Sequence, residues 1–213
     1  MLKFKKPAVP PVPKPLLHIF CEGAKTEPNY LRSYIEKKFP GTTLIVIEKR
    51  KKNTPVELVE EAAGKKKCNS GAPNDIYWAV YDRESTTKYP DSLHAKARTS
   101  AIVNGIHIAL SNVCFEVWLL LHFRTSSAAY MNCADLLKKS DLKKKYIKDY
   151  DKADRRDYSD AEIAAARKNA KHMNAQTISG ANPKWKKPHQ WNPYTNVHEL
   201  LDAIDAFGKE HVQ

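Results

Sequence analysis

Leu16-Leu17-His18-Ile19-Phe20-Cys21-Glu22-Gly23-Ala24-Lys25-Thr26-Glu27-Pro28 is the stretch that decides the fold of this chain. A short apolar run, the length of a buried strand, stops at an acid and a glycine. Helix-start chemistry follows at once. Thr26 suits an N-cap, and Glu27 and Pro28 suit the first turn, where a negative charge meets the positive end of the helix dipole and proline's missing N–H is not needed. Tyr30, Leu31, Tyr34 and Ile35 share one helical face, and Pro40-Gly41 ends it. An acid between a strand end and a helix start is how open α/β sheets build sites.

The same layout recurs downstream. Thr43–Glu48 reads as a second strand, and Thr54-Pro55-Val56-Glu57 is a capping box with proline at the first helical position. Asp75–Tyr81 reads as a third strand that ends in Asp82-Arg83-Glu84. Asp91 suits the cap of the next helix, which Asn104-Gly105 closes with a left-handed residue. Ile106–Leu110 is the fourth strand, followed by Ser111-Asn112 and a helix from about Cys114 to Phe123. Strands alternating with helices predict an α/β fold, a mostly parallel sheet flanked by helices. Parallel strands share a carboxyl edge. Glu22, Asp82, Glu84, Asn112 and Glu116 are therefore predicted neighbours on one rim, although far apart in sequence.

The remainder divides by composition. Residues 1–15 hold five prolines and read as a flexible Pro/Lys-rich tail. Residues 16–213 read as one domain, with 130–187 a lysine-rich helical insertion near the C-terminus; Ser159-Asp160-Ala161-Glu162 is a capping box within it. Asn192–Asn196 reads as a turn. Residues 196–211 read as an amphipathic helix that packs back on the sheet through Val197, Leu200, Leu201, Ile204 and Phe207.

The 213 residues carry a formal net charge of +12, gathered in clusters such as Lys65-Lys66-Lys67, Lys143-Lys144-Lys145 and Lys184-Trp185-Lys186-Lys187. Such a balance favours a polyanionic partner, because lysines displace the counterions condensed on a phosphate backbone. With only 7 glycines there is no phosphate-binding loop and no dinucleotide fingerprint. No apolar run reaches the roughly 20 residues of a membrane span, so no membrane partner and a cytoplasmic location are expected. Cys21, Cys68, Cys114 and Cys133 form no C-x-x-C pair, which argues against a zinc site or a disulfide framework and for buried reduced thiols.

Acids on a rim of a basic protein point to a metal ion and phosphate chemistry. Magnesium takes oxygen ligands and keeps several waters, so a few convergent carboxylates suffice. Glu22, Asp82 and Glu84 are the expected metal ligands, with manganese able to substitute. Glu22 doubles as general acid/base, and Glu116, an acid in the apolar Phe115–Leu121 run, completes the catalytic set. Lys25, Arg83, Asn112, Lys143, Lys144, Lys186 and Lys187 are the expected contacts to phosphate or nucleic acid. His122 reads as a core histidine, and Trp185 and Trp191 as packing residues able to stack on bases.

These residues also have a familiar look. Cys21-Glu22-Gly23-x-x-Thr26-Glu27-Pro28-x-Tyr30-Leu31, Tyr81-Asp82-Arg83-Glu84, Ser111 through Phe123, and Asn192-Pro193-x-Thr195-Asn196-Val197-His198 resemble, in order, the motifs of the RloB-like family. The resemblance implies a Toprim-like fold and a magnesium-dependent nuclease, with a glutamate after the first strand and an acidic pair after the third. Position 84 is Glu where that family more often has Asp, and Val113 stands where it often has proline. The resemblance further implies a role in phage defence, often beside a partner ATPase. The expected substrate is a nucleic acid, with DNA and RNA, transfer RNA included, left open by the sequence. The rival expectation is a non-catalytic nucleic-acid-binding or regulatory subunit of a defence complex.

Overall fold

The computed structural model describes residues 13–49, 54–68 and 74–212. Most of the proline-rich tail and Arg50-Lys51-Lys52 lie outside these residues. Four strands run parallel: β1 Leu17–Cys21, β2 Ile45–Ile47, β3 Ile76–Asp82 and β4 His107–Asn112. Between them lie α1 Thr26–Lys38, α2 Pro55–Cys68 and α3 Asp91–Asn104. After β4 come α4 Glu116–Leu121, α5 Cys133–Lys139, a π-turn at Leu142–Tyr146, α6 Asp160–Gly180, β5 Tyr194–Thr195 and α7 Val197–His211. The sheet order is β2-β1-β3-β4-β5, and β5 alone is antiparallel.

All five residues of β1 are buried, because both sheet faces are covered. Side chains alternate across a strand, so β1 and β3 each feed two cores. Leu17, Ile19 and Cys21 of β1 and Trp78 and Val80 of β3 join the larger one, with α1, α4, α6 and α7. Phe20, Tyr77, Ala79 and Tyr81 join the smaller one, with α2 and α3. The 130–187 stretch does more than decorate this frame. Ile163, Ala166, Ala170 and Met173 of α6 are buried in the larger core together with Trp118 of α4.

The capping boxes form at Thr54–Glu57 and Ser159–Glu162, and Gly105 closes α3 in the left-handed region at φ 62. Four local expectations change. Thr26 is the first helical residue of α1 and not its cap. Lys25 stands in the cap position without a side-chain bond, and the Glu27 carboxylate reaches back to accept from Gly23 N–H at 3.1 Å. Asp91 likewise lies inside α3, behind Pro90, and spends its carboxylate on Arg83. The helix expected from Cys114 to Phe123 has its regular part at Glu116–Leu121. The Asn192–Asn196 turn contains a short strand. There Asn196 stands in the cap position of α7 and directs its side chain to β4. Its Oδ1 accepts from Leu110 N–H and its Nδ2 donates to Ile108 carbonyl, which extends pairing along the edge of β4.

Candidate functional site

The carboxyl ends of β1 and β3, the start of α1 and the start of α4 open on one cavity of about 590 Å³. Five carboxylates line it: Glu22, Glu27, Asp82, Glu84 and Glu116. Three lysines line it too, Lys25, Lys88 and Lys152, together with Tyr89 and Phe115. The four acids expected on the rim are thus brought together, with a fifth that sequence reasoning had assigned to helix-start chemistry.

Glu22 follows β1 and is buried. Its Oε2 accepts from Asp82 N–H at 3.0 Å and its Oε1 from the Tyr89 hydroxyl at 2.9 Å. Loss of solvent pushes its carboxyl up to about 7; the bonds from Asp82 and Tyr89 only partly offset this. Asp82 ends β3. Its Oδ1 is buried and has no hydrogen-bond partner among the described residues. Burial, followed by the charges of Glu27, Glu116, Glu22 and Cys133, holds this carboxyl well above the usual range. Glu27 is buried as well, and burial and then Glu116 raise it. An acid at i+2 in an extended segment faces the same way. Glu84 reaches the cavity differently: its φ of 57 turns the chain, and its carboxylate pairs with Lys88 at 2.7 Å.

Glu116 is 1% exposed yet behaves in the opposite sense. Burial would raise its carboxyl, but Lys152, the Cys114 thiol, Tyr150 and the Cys133 thiol outweigh burial, and the net shift is downward. Tyr150 donates to Oε1 at 2.8 Å, Cys133 to Oε2 at 3.1 Å, and Lys152 Nζ lies 3.3 Å from Oε1. Cys114, Glu116 and Cys133 each offer a ligand atom within 4.8 Å of the others, a group that could hold a metal ion. All four cysteines are free; Cys21 and Cys114 are buried, Cys133 is half-buried and Cys68 is exposed.

The expected phosphate contacts separate into two sets. Lys25 sits at the cavity's edge, at the start of α1. Arg83, between the two acids, points the other way and does not line the cavity. It is buried, and its guanidinium donates to the carbonyls of His189 and Tyr89 and to Asp91 at 2.6–2.9 Å. Those bonds tie down two loops and leave no fork for a phosphate, so the phosphate reading of Arg83 is corrected. Asn112 is also buried, and its amide donates to His189 and Trp191 carbonyls; it holds the loop. Lys143, Lys144, Lys186 and Lys187 are exposed, on the π-turn and before Pro188, and none lines the cavity. Trp191 donates its indole N–H to Trp185 carbonyl, and Trp185 is 47% exposed. His122 is buried between Tyr30 and the Trp118 carbonyl, and burial lowers it to about 4.

Lys88, Tyr89, Cys133, Tyr150 and Lys152 were not anticipated. Glu27 carries a readable signal, since its carboxylate lies one helical turn from Gly23. The other five lie on connecting segments or at the start of a short helix, where no periodicity places them. Among the described residues no helix is long and apolar enough to cross a membrane.

Comparison with known proteins gives a family match. The family model described as RloB-like protein fits residues 17–204, a span that holds every acid of the cavity and all the buried residues of both cores except Phe207. No curated protein and no solved structure matched.

Proposed function

The chain belongs to the RloB-like protein family, and from that premise we propose that it is a metal-dependent nuclease of Toprim-like layout that hydrolyses phosphodiester bonds in DNA or RNA. One observation carries this reading: five carboxylates converge on a single cavity of a strongly basic protein, and the buried Asp82 Oδ1 lacks a partner among the described residues. Acids gathered this closely away from water repel one another unless cations join them, and Lys88 and Lys152 reach only Glu84 and Glu116 among the ion pairs of the described residues. Glu22, Asp82 and Glu84 supply only oxygen donors, which suits magnesium, with manganese as substitute. Bound there, such an ion polarises a phosphoryl oxygen and neutralises developing charge.

The chain's own residues do the rest. Glu22, held by Tyr89 and the Asp82 N–H, is poised near neutrality to hold or move a proton. Lys25 and Lys88 line the same cavity and attract the phosphate. Glu116, fixed by Tyr150 and Lys152, orients the α4 side of the site. Exposed Lys143, Lys144, Lys186 and Lys187 extend the basic surface for the rest of the nucleic acid. A cytoplasmic role in phage defence beside a partner ATPase is part of this proposal.

The test is incubation of the purified protein with DNA, messenger RNA and transfer RNA, with magnesium or with chelator. Cleavage is expected only with metal, and Glu22→Gln should lose about 10²–10⁴-fold in rate while still binding nucleic acid. Undiminished magnesium-dependent cleavage by that variant would overturn the assignment. The ion pairs Lys88–Glu84 and Lys152–Glu116 favour a second reading, a non-catalytic binding or regulatory subunit whose acids are internally neutralised. That reading predicts salt-sensitive binding without turnover in any metal.

A further inference from the structure

We propose that Cys114, Glu116 and Cys133 form a second metal site, specific for a zinc-class ion and chemically distinct from the all-oxygen site beside it. Two features of the structure support it. The first is the donor set. The two thiol sulfurs and a Glu116 oxygen lie within 4.8 Å of one another. Ligands of a tetrahedral zinc ion with bonds of about 2.0–2.3 Å stand roughly 3.5–4 Å apart, so small side-chain rotations close the group. Thiolates are soft donors and select zinc over magnesium. The second feature is a cation already at the group. Lys152 Nζ lies 3.3 Å from Glu116 Oε1 and 3.9 Å from Cys133 Sγ. The Lys152 side chain is 53% exposed and leads to solvent. A bound ion would take over the role this ammonium now fills.

The group is also prepared from behind. Tyr150 donates to Glu116 Oε1, which leaves Oε2 facing the Cys133 thiol at 3.1 Å. Ion binding replaces that S–H···O contact: each thiol gives its proton to solvent, two per ion, and both sulfurs and the carboxylate bond to the ion. Three protein ligands leave a fourth tetrahedral position, the pattern of an open rather than a closed zinc site. Residues 130–152 then contribute by fastening Cys133 to α4 through the ion. The absence of any C-x-x-C spacing hides this site in the sequence, because its two cysteines come from different elements.

The experiment is a cobalt(II) titration of the reduced, chelator-treated full chain, followed by visible and ultraviolet absorption. One equivalent should give tetrahedral d–d bands and a thiolate charge-transfer band, both removed by added zinc and not by excess magnesium. Cys114→Ser and Cys133→Ser should each weaken binding at least tenfold, whereas Cys68→Ser should not. Glu22→Gln should keep the spectrum, so this site is judged apart from magnesium-dependent cleavage. Absence of a thiolate band from the reduced wild-type protein would overturn the proposal, as would its persistence in the Cys114→Ser/Cys133→Ser double variant.

Discussion

Glu22 and Glu116 face the same cavity, are both buried, and are displaced in opposite directions. Glu22 is pushed up to about 7 and Glu116 is drawn below the ordinary range. Burial is the leading influence on both. The difference lies in what each half of the site provides. The strand-end half offers Glu22 one backbone N–H and one phenol, and among the described residues only the more distant charge of Lys88 joins them in lowering it. The half built by α4 and the following segments offers Glu116 a lysine, a phenol and thiols. The second half carries its own cation in Lys152. The first is the incomplete one, because Glu22 has no ion pair among the described residues, and the proposed magnesium ligands belong there.

That contrast is open to a direct break. In chelator at pH 8, Glu22→Gln removes an uncompensated charge and keeps an acceptor for Asp82 N–H. It should stabilise the protein by about 3–4 kcal/mol, the free energy of a shift of that size. Glu116→Gln takes the charged acceptor from the Tyr150 and Cys133 donors and the partner from half-exposed Lys152, and should destabilise by about 1–3 kcal/mol. Chemical denaturation of both variants and the wild type measures the two signs. Equal signs would abolish the distinction between the halves.

The pH dependence sharpens it. Glu22 has a folded value near 7 against an unfolded one of about 4.3. The folded state therefore binds the extra proton, and its stability falls as pH rises through that window. The gain from Glu22→Gln should be near zero at pH 4 and full above pH 7. Glu116 runs the other way. Its contribution is present above the ordinary carboxylate range and is lost as pH falls through its lowered value. The Glu116→Gln deficit should shrink only in acid. Thermal melts at pH 4, 6 and 8 without metal would show both trends.

The sequence made these two halves unequally legible. Glu22, Asp82 and the mainly parallel sheet follow from strand ends and helix starts, which local patterning reveals. β1 reads as a strand because both of its faces are buried, so its apolar run is continuous. Glu116 was visible as an acid in an apolar helix. Its partners were not: Cys133, Tyr150 and Lys152 lie on segments whose position depends on how α5 and α6 pack against α4. Arg83 shows the opposite failure. Between two site acids it looked like a phosphate contact, but strand alternation sends it to the other side, where His189, Tyr89 and Asp91 take its donors. β5 escaped notice because two residues carry no periodicity.

The smallest expected effect concerns the residue that joins strand to helix. A methyl group on Gly23 would collide with the Glu27 carboxylate, and Gly23 has no positive φ to complicate the substitution. The obstacle is the flexible end of a side chain, so Gly23→Ala should cost only about 1 kcal/mol, the worth of the Gly23 N–H bond to Glu27. Its consequence for the cavity should be larger than its consequence for stability, because the displaced Glu27 carboxylate belongs to the incomplete half. Metal-dependent cleavage should fall by about tenfold, equivalent to 1.4 kcal/mol in the barrier. Glu27→Gln should mimic it, and the two changes combined should be less than additive, since both remove the same contact. Full additivity in that cycle would separate Glu27 from Gly23 and return Glu27 to a plain first-turn charge on α1.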